Sequence, residues 1–306
     1  MAKRGKLQTQ AEYLFARSLL ALLGALPLSA AMGLGSVIAN FASVFARDLK
    51  RTGMRNLQIA FPDMTDKQRR RIVGNVFSSL GRQLGVFSHF PRLTPESLRA
   101  TIEIEGEHYL TDAKAQGRGV ILFTGHLGAW ELTSFAHSVL ETPFNFVVRR
   151  VDNPLIERLV EQLRSKYGNR TLDKLTAART MVKTLRSGDV LGLLIDLNTL
   201  HDEAIFVDFF GVPAATNFMI AKLALRTGSP IVPAFAPWDA RKKKFLVRVL
   251  PPIEVEANCN EDTDVLRLTA AMSRVMEDII RQYPEQWLWI HKRWKTRRPG
   301  EPSLYQ

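Results

Sequence analysis

His126 and Glu131 are the residues whose types and spacing best suit proton-transfer chemistry. They belong to residues 124–131, which read TGHLGAWE and follow the apolar run at 119–124, a predicted buried strand. His126 therefore lies just beyond the carboxyl end of a strand, which is where ligands bind in parallel sheets. A structural histidine in a strand–helix turn is the alternative interpretation.

The spacing of this pair predicts how the two side chains would meet. Within one regular helix, the five-residue separation would turn them about 140° apart. If His126 instead lies in the turn before the helix, Glu131 reaches back and holds one imidazole nitrogen, while the other nitrogen accepts a proton. His126 would then deprotonate a substrate hydroxyl, which attacks a thioester carbonyl directly. The sequence contains no GxSxG motif, which argues against a serine-hydrolase route.

Further candidates lie near the ends of predicted strands. Arg149 ends the second predicted strand, where a cation suits a phosphate or a developing oxyanion. Asp196 ends a strongly apolar strand, and it is either a buried hydrogen-bond partner or a substrate contact. Asn198, just beyond it, is a weaker candidate. Gly128 permits a tight turn and the close approach of a substrate.

Alternating strands and helices position these residues. Apolar runs predict strands at 119–124, 145–148, 190–195, 231–235 and 245–250. Amphipathic stretches predict helices at 65–90, 128–140, 154–167, 175–187, 216–227 and 262–282. This alternation predicts an α/β fold with a mostly parallel, mixed sheet flanked by helices.

An uncharged, Leu- and Ala-rich stretch at residues 18–46 predicts membrane contact. It is long enough to span a bilayer, although Pro27 and several glycines interrupt it. A signal peptide, a spanning or re-entrant anchor, and two interfacial helices all fit, and a buried hairpin in a soluble domain is the remaining alternative. The basic residues that follow suit an anionic leaflet; they are Arg47, Lys50, Arg51 and Arg55. We expect an N-terminal hydrophobic membrane helix, with residues 1–50 as the membrane-anchoring segment.

The whole chain is strongly basic. Its 42 Lys and Arg residues outnumber 30 Asp and Glu residues, which gives a net charge of +12 and favours anionic partners: nucleic acid, an acidic membrane, phosphorylated substrates or an acidic carrier protein. Cys259 is the only cysteine, so no intramolecular disulfide forms, and the histidines lack metal-ligand spacing. We expect neither a metal nor a cofactor. The tail places Trp287, Trp289 and Trp294 among basic residues, which suits a membrane interface, base stacking, or a core edge that is partly a buried strand.

Several motifs together resemble those of the late lipid A acyltransferases, which are similar to lysophospholipid acyltransferases through an HX4(D/E) motif. His126 and Glu131 supply that motif. The supporting segments follow the order of the family, at 55–57 (RNL), 60–62 (AFP), 148–154 (VRRVDNP), 194–198 (LIDLN), 207–214 (VDFFGVPA) and 284–295 (PEQWLWIHKRWK). The likeness covers nearly the whole chain. In one departure, Leu197 follows Asp196 where many members have Gln or His.

The resemblance implies an O-acyltransferase at the cytoplasmic face of the bacterial inner membrane, with residues 51–306 as the α/β acyltransferase domain. An acyl carrier protein thioester would be the donor. The acceptor would be a hydroxyl of a Kdo-bearing lipid A precursor or a related anionic glycolipid, and no nucleic acid partner is expected. The implied catalytic residues are His126, Glu131 and Arg164. The implied substrate-binding residues are Arg149, Asp196, Asn198 and Gly128.

Other functions remain open from the sequence. One is acyl transfer from coenzyme A to another membrane glycolipid or to a phospholipid. A second is a non-catalytic, basic membrane-binding protein for nucleic acid or anionic lipid, although no recognisable nucleic-acid motif is present. A third is a hydrolase in which His126 and Glu131 activate water.

Overall fold

The computed structural model describes residues 5–174, 178–256 and 260–305, and Cys259 lies outside these ranges. The helices are α1 Lys6–Ala25, α2 Leu28–Ser43, α3 Arg47–Ala60, α4 Asp66–Phe87, α5 Pro95–Thr101, α6 Glu107–Ala115, α7 Trp130–Leu140, α8 Pro154–Arg164, α9 Ala178–Arg186, α10 Met219–Thr227 and α11 Glu261–Gln282. The strands are β1 Ile102–Glu105, β2 Val120–Thr124, β3 Asn145–Val148, β4 Arg170–Asp173, β5 Val190–Leu194, β6 Ala204–Phe209, β7 Val212–Asn217, β8 Ile231–Phe235, β9 Trp238–Asp239 and β10 Lys244–Val249.

One mixed sheet organises the described residues, in the order β1-β10-β8-β2-β5-β3-β4, with β9 paired to β10. The run from β8 to β4 is parallel, whereas β10 pairs antiparallel with β8. Strands β2 and β8 are buried at every residue, because helices cover both faces of a parallel sheet and each face needs apolar side chains. The predicted α/β fold with a mostly parallel, mixed sheet is confirmed.

The predictions were most accurate for the central elements. The five predicted strands are β2, β3, β5, β8 and β10, with boundaries shifted by at most one residue. Helix α4 begins with a capping box between Thr65 and Gln68. The strands that the apolar pattern missed are short or only partly buried, namely β1, β4, β6, β7 and β9. The β6–β7 hairpin turns through Phe210 and Gly211, both at positive φ, rather than through the usual Asn-Gly pair.

The apolar stretch at 18–46 forms two helices rather than the single membrane helix that we expected. Leu26 takes extended backbone before Pro27, which ends α1. Helix α2 then crosses α4 at a distance that leaves no room for side chains at the crossing. A Cβ on Gly35 would lie 2.2 Å from the carbonyl oxygen of Gly81, and a Cβ on Gly81 would lie 2.2 Å from the carbonyl oxygen of Gly35. Across the described ranges, no single helix is long and apolar enough to cross a membrane, while α2 and α3, bent by 96°, pass that test only as a pair.

The tryptophans of the tail belong to the core. Trp287, Trp289 and Trp294 are at most 1% exposed, and two of them contact Phe209 by aromatic packing. The predicted buried strand in this segment is wrong, since the backbone makes only an isolated bridge between Trp287 and Leu127. The tail is therefore a core edge, and its bridge reaches the loop that follows β2.

Candidate active site

His126 and Asp196 meet because their strands are neighbours in the sheet. Strand β2 pairs in parallel with β5, with Thr124 opposite Leu194, so the residues two positions beyond each strand end emerge side by side. The His126 backbone N–H donates to Asp196 Oδ2 at 2.7 Å, and Nδ1 lies 2.9 Å from Oδ1. Gly125 permits this approach, because a Cβ there would lie 3.1 Å from the Asp196 carboxyl carbon and collide with Met276.

The environment of Asp196 keeps it ionised. Its side chain is completely buried, and Trp287 Nε1 donates to Oδ2 at 2.7 Å. Although burial opposes the charge, the nearby His126 and these hydrogen bonds hold the pKa of Asp196 below its ordinary value. An ionised carboxylate only accepts hydrogen bonds, so Nδ1 of His126 carries a proton, and in the neutral form of the imidazole Nε2 keeps a lone pair.

The carboxyl-terminal tail holds the histidine loop in place. Leu288 N–H donates to the His126 carbonyl at 3.0 Å, and Gly128 N–H donates to the Gln286 carbonyl at 3.0 Å. Trp287, between them, supplies the indole N–H to Asp196. The tail that sequence reasoning assigned to a membrane, bases or the core edge thus orients the His126–Asp196 pair.

Glu131 pairs with Arg164 and not with His126. It lies in the first turn of α7, and Arg164 lies in the last turn of α8. Arg164 Nε donates to Glu131 Oε2 at 3.1 Å and Arg164 Nη2 donates to Glu131 Oε1, so the pair is bidentate. Only 14% of the Arg164 side chain and 13% of the Glu131 side chain are exposed. Burial is the largest single cause and lowers the pKa of Arg164, but Glu131, with Glu157 and Glu161, together raise this pKa above its ordinary value. The prediction that Glu131 orients the imidazole is wrong, because the neighbouring strand brings Asp196 closer.

A cavity of about 430 Å³ opens beside these two pairs. His126, Glu131 and Arg164 line it, together with apolar residues from the carboxyl halves of β2, β3 and β5. Trp130 packs against His126 with ring centroids 4.9 Å apart and ring planes tilted by 59°, and it also lines the cavity. The structure therefore brings together the three residues predicted to be catalytic, in two separate pairs: His126 with Asp196, and Arg164 with Glu131.

The residues predicted to bind substrate divide by position. Arg149 and Asn198 line the cavity, with Arg149 78% exposed at the rim and the Asn198 amide bonded to Thr296 Oγ1 at 3.0 Å. Asp196 is buried and holds His126, so it is a hydrogen-bond partner rather than a substrate contact. Gly128 has φ +62°, and a Cβ added to it would lie 2.3 Å from the carbonyl oxygen of Ala236. The close approach at this glycine is therefore made by the protein backbone and not by a substrate.

His291 is a residue of the cavity that sequence reasoning did not select. Burial is the main cause that lowers its pKa, with Asp196 acting in the opposite direction. Its Nδ1 is buried and has no hydrogen-bond partner among the residues that the structure describes. The sequence held one signal for it, since it lies within the family segment at 284–295.

The side chains around the cavity are arranged for proton transfer. An imidazole with a free lone pair can take a proton from a hydroxyl that enters the cavity. The guanidinium of Arg164 supplies positive charge at the same opening, where a developing oxyanion would be stabilised. Within the described ranges, no group of three or more His, Cys, Asp or Glu residues is arranged to hold a metal ion.

Comparison with known proteins gives a consistent result. A sequence model of the bacterial lipid A biosynthesis acyltransferases matches residues 3–296. The chain is 31% identical to the lipid A biosynthesis lauroyltransferase of Escherichia coli (strain K12), over 92% of this chain and 90% of that protein. It is 27% identical to the palmitoleoyltransferase of the same strain, over 89% and 87% of the two chains, and 22% identical to its myristoyltransferase, over 88% and 82%.

Proposed function

This chain belongs to the bacterial lipid A biosynthesis acyltransferase family, which makes it an O-acyltransferase with a lipid acceptor, and we propose a specific reaction for it. The chain moves a fatty acyl group from an acyl carrier protein thioester to a hydroxyl of a Kdo-bearing lipid A precursor. The observation that carries this proposal is the His126–Asp196 pair at the edge of a largely apolar cavity of about 430 Å³.

His126 acts as the general base in this proposal. Nε2 takes the proton of the acceptor hydroxyl as its oxygen attacks the thioester carbonyl, and the tetrahedral oxyanion then collapses and breaks the C–S bond. The departing carrier thiolate takes the proton back from His126, so the histidine ends neutral. Asp196 holds the tautomer and stabilises the imidazolium. General-base assistance of this kind contributes on the order of 10²–10⁴-fold in rate.

Arg164 stabilises the oxyanion in this proposal, and Glu131 positions it. The pair uses Nε and Nη2 of the guanidinium, so Nη1 remains for another acceptor. Arg164 lines the cavity beside His126, which supports a role at the carbonyl oxygen of the thioester. A preorganised charge of this kind acts on the transition state more strongly than on the substrate.

The charge around the cavity supports anionic substrates. Arg149 and Lys174 line the cavity, and Arg150, which follows Arg149, is 67% exposed; each of the three has an exposed ion pair, with Asp152, Glu203 and Asp173 respectively. The acceptor proposed here is a phosphorylated glycolipid, and the donor is an acidic carrier protein. Both are attracted by a chain of net charge +12.

Helices α1 and α2 rest on the membrane surface in this proposal, at the cytoplasmic face of the bacterial inner membrane. Helix α1 exposes Leu7, Leu14, Phe15 and Leu22 along one face. The last turns of α2 expose Val37 and Phe41, and the turn that follows α2 exposes Val44 and Phe45. The basic residues of α3 follow directly, which suits an anionic leaflet. A surface-bound enzyme would take its acceptor from the bilayer without extracting it into water.

The experiment that tests the reaction is a transfer assay in detergent. Purified protein receives a labelled acyl carrier protein thioester and a Kdo-bearing lipid A precursor, and mass spectrometry follows the acceptor. We expect a product heavier by one acyl chain, and its absence with His126→Ala. His108→Ala is the matched control, because His108 is exposed on α6, outside the cavity.

Other outcomes separate the alternatives. A product that forms only with coenzyme A thioesters would replace the proposed donor, and a product with other glycolipids alone would replace the acceptor. Release of free fatty acid at the same rate with and without acceptor would indicate a hydrolase instead. An active His126→Ala enzyme would overturn the proposed mechanism.

A further inference from the structure

A second, smaller cavity lies on the same side of the sheet as the active-site cavity. Its volume is about 40 Å³, and it is lined mainly by residues of α6, α7, β1, β2, β8 and β10. Two residues, Leu122 of β2 and Thr133 of α7, line both cavities. They therefore form a wall between the two cavities, and this name is kept for them below.

The strand register shows how the active-site cavity descends from His126 toward this wall. Thr124 lies opposite Leu194, and Leu122 lies opposite Gly192, while Phe146 of β3 lies opposite Gly192 as well. Residues two apart on a strand point to the same face, so the row of Leu122 lies about 7 Å below the row of Thr124. The cavity thus runs from the catalytic pair along the sheet and under α7.

This lower part of the cavity is apolar. Leu122, Phe144, Phe146 and Gly192 line it from the sheet side. On the α7 side, the hydroxyl of Thr133 donates to the Trp130 carbonyl at 2.7 Å and that of Ser134 donates to the Glu131 carbonyl at 2.8 Å. Both hydroxyls donate their hydrogen bonds within the helix, so neither needs a polar group of the ligand as a partner. A saturated hydrocarbon chain fits such a surface.

Gly192 makes room at the same level of the cavity. A Cβ added there would lie 2.7 Å from Phe144 Cε2 and 3.2 Å from Phe146 Cβ. The glycine therefore lets the two aromatic side chains lie close to the strand. A larger residue at this position would push Phe144 away from β5 and into space that a chain would use.

We propose that the wall formed by Leu122 and Thr133 closes the end of the acyl-chain cavity and sets the longest acyl chain that the enzyme transfers efficiently. This inference rests on the proposed acyl transfer, because it assigns the lower cavity to the acyl chain of the donor. Opening the wall joins the cavity to the second one, so a longer chain finds room beyond it. Each methylene that gains an apolar site adds roughly fourfold in selectivity.

Substitutions in the wall test the inference. A series of saturated acyl carrier protein thioesters of increasing length is offered in competition, and the transferred chain is identified by mass spectrometry. We expect Leu122→Ala, and to a smaller extent Thr133→Ala, to shift the preferred chain to longer lengths by about two carbons. Gly192→Ala is expected to shift it to shorter lengths. Thr133→Ala also provides a mild opening of the wall if Leu122→Ala does not fold.

Leu140→Ala is the matched control. Leu140 lines the second cavity and not the first, so its truncation enlarges the space beyond an intact wall and is expected to leave the chain-length profile unchanged. Wild-type profiles in both Leu122→Ala and Thr133→Ala would overturn the inference. An equal shift in Leu140→Ala would overturn it too.

Equilibrium binding of the same thioesters separates this inference from the reaction itself. Wild-type protein that binds the thioesters without transferring them would contradict the proposed reaction alone, and the binding profiles of the variants would then decide about the wall. Protein that neither binds nor transfers would overturn both. Transfer with an unchanged profile in the wall variants would overturn only the inference.

Discussion

Four charged or titratable side chains form two pairs at the edge of the active-site cavity. His126 is held by the fully buried Asp196, and Arg164 is held by Glu131. In the proposed reaction, the first pair handles the proton, and the second holds a guanidinium beside it.

Removing the carboxylate of Glu131 should affect both stability and rate. Glu131→Gln leaves the largely buried Arg164 charge without its ionic partner, and we expect a loss of about 2 kcal/mol in the free energy of unfolding, with a lower kcat. Thermal unfolding and steady-state kinetics measure the two effects. Asp48→Asn breaks an exposed ion pair with Arg51 and is expected to leave the unfolding midpoint unchanged. Equal midpoints for the two variants would contradict the importance of the Glu131–Arg164 pair.

Acidification should destabilise the fold through a buried histidine. Burial, opposed by Glu141, lowers the pKa of His137 in the folded state, whereas the unfolded chain takes up the proton near pH 6.5. The unfolded state then binds more protons, so the free energy of unfolding decreases as the pH falls below about 6.5 and until the folded pKa is reached. We predict that the unfolding midpoint decreases less in His137→Gln than in the wild type when the pH is lowered from about 7 to about 5. Equal losses in both proteins would refute this.

At the residue scale, the sequence located the candidate catalytic residues but not their partners. His126, Glu131 and Asp196 stood out by type and position, and the family resemblance added Arg164. Their pairing depends on which strands are adjacent, and β2 and β5 are separated along the chain by two further strands. Nearness in sequence favoured Glu131 as the partner of His126, whereas the parallel register brought Asp196 to it.

The elements owe much of their arrangement to small residues at crossing points. Gly35 of α2 and Gly81 of α4 meet at a distance that admits no side chain, and Gly85 lies against the backbone of Ala31 in the same way. The side chain of Asn153 caps α8, and its amide also donates to the Thr9 carbonyl of α1 at 3.0 Å. Helix α2 is therefore fixed to α4, and α1 is fixed to α8, whose Arg164 lines the active-site cavity.

A pair of glycines on α4 provides a matched test of the helix crossing. A Cβ at Gly81 would lie 2.2 Å from the Gly35 carbonyl oxygen, so Gly81→Ala should destabilise the fold by about 1–3 kcal/mol. A Cβ at Gly74 would have no neighbouring atom within 4 Å, so Gly74→Ala should stabilise α4 by about 0.4–1 kcal/mol. Unfolding midpoints of the two variants measure the difference. Shifts in the same direction would contradict this packing.

At the element scale, continuous apolar runs predicted the central strands well because both faces of those strands are buried. Strands β1 and β4 are half-buried, and β6 and β7 form a hairpin whose turn lacks the usual residues, so the pattern of apolar residues was weak there. The break at Pro27 was visible in the sequence. The packing of the two resulting helices on the protein core depends on glycines at the helix crossing, and a pattern of apolar residues does not show the role of those glycines.

The whole chain is basic, and most of the large exposed apolar side chains of the described residues lie in its first 50 residues. Phe41 and Phe45 are 69% and 77% exposed, and they lie next to the basic residues at the start of α3. The composition predicted anionic partners but not which part of the surface meets them. The positions of the exposed apolar and basic side chains on the surface depend on how α1 and α2 pack on the rest of the fold.

Membrane binding should depend on both properties. We predict that Phe41→Ser with Phe45→Ser reduces binding to vesicles containing anionic lipid by at least about tenfold, because two large apolar side chains no longer enter the interface. Raising the salt concentration should weaken binding of both proteins, since the basic residues are screened. Sedimentation with vesicles provides the measurement. Unaltered binding of the double variant would exclude this surface as the contact.

The central claim is that His126 acts as a base held by Asp196. The most direct measurement is the steady-state kinetics of Asp196→Asn, with folding checked by circular dichroism. An amide at this position no longer stabilises the imidazolium and permits the wrong tautomer, so we predict a kcat reduced on the order of 10²–10⁴-fold with a nearly unchanged KM. A folded Asp196→Asn enzyme with the kcat of the wild type would contradict the claim.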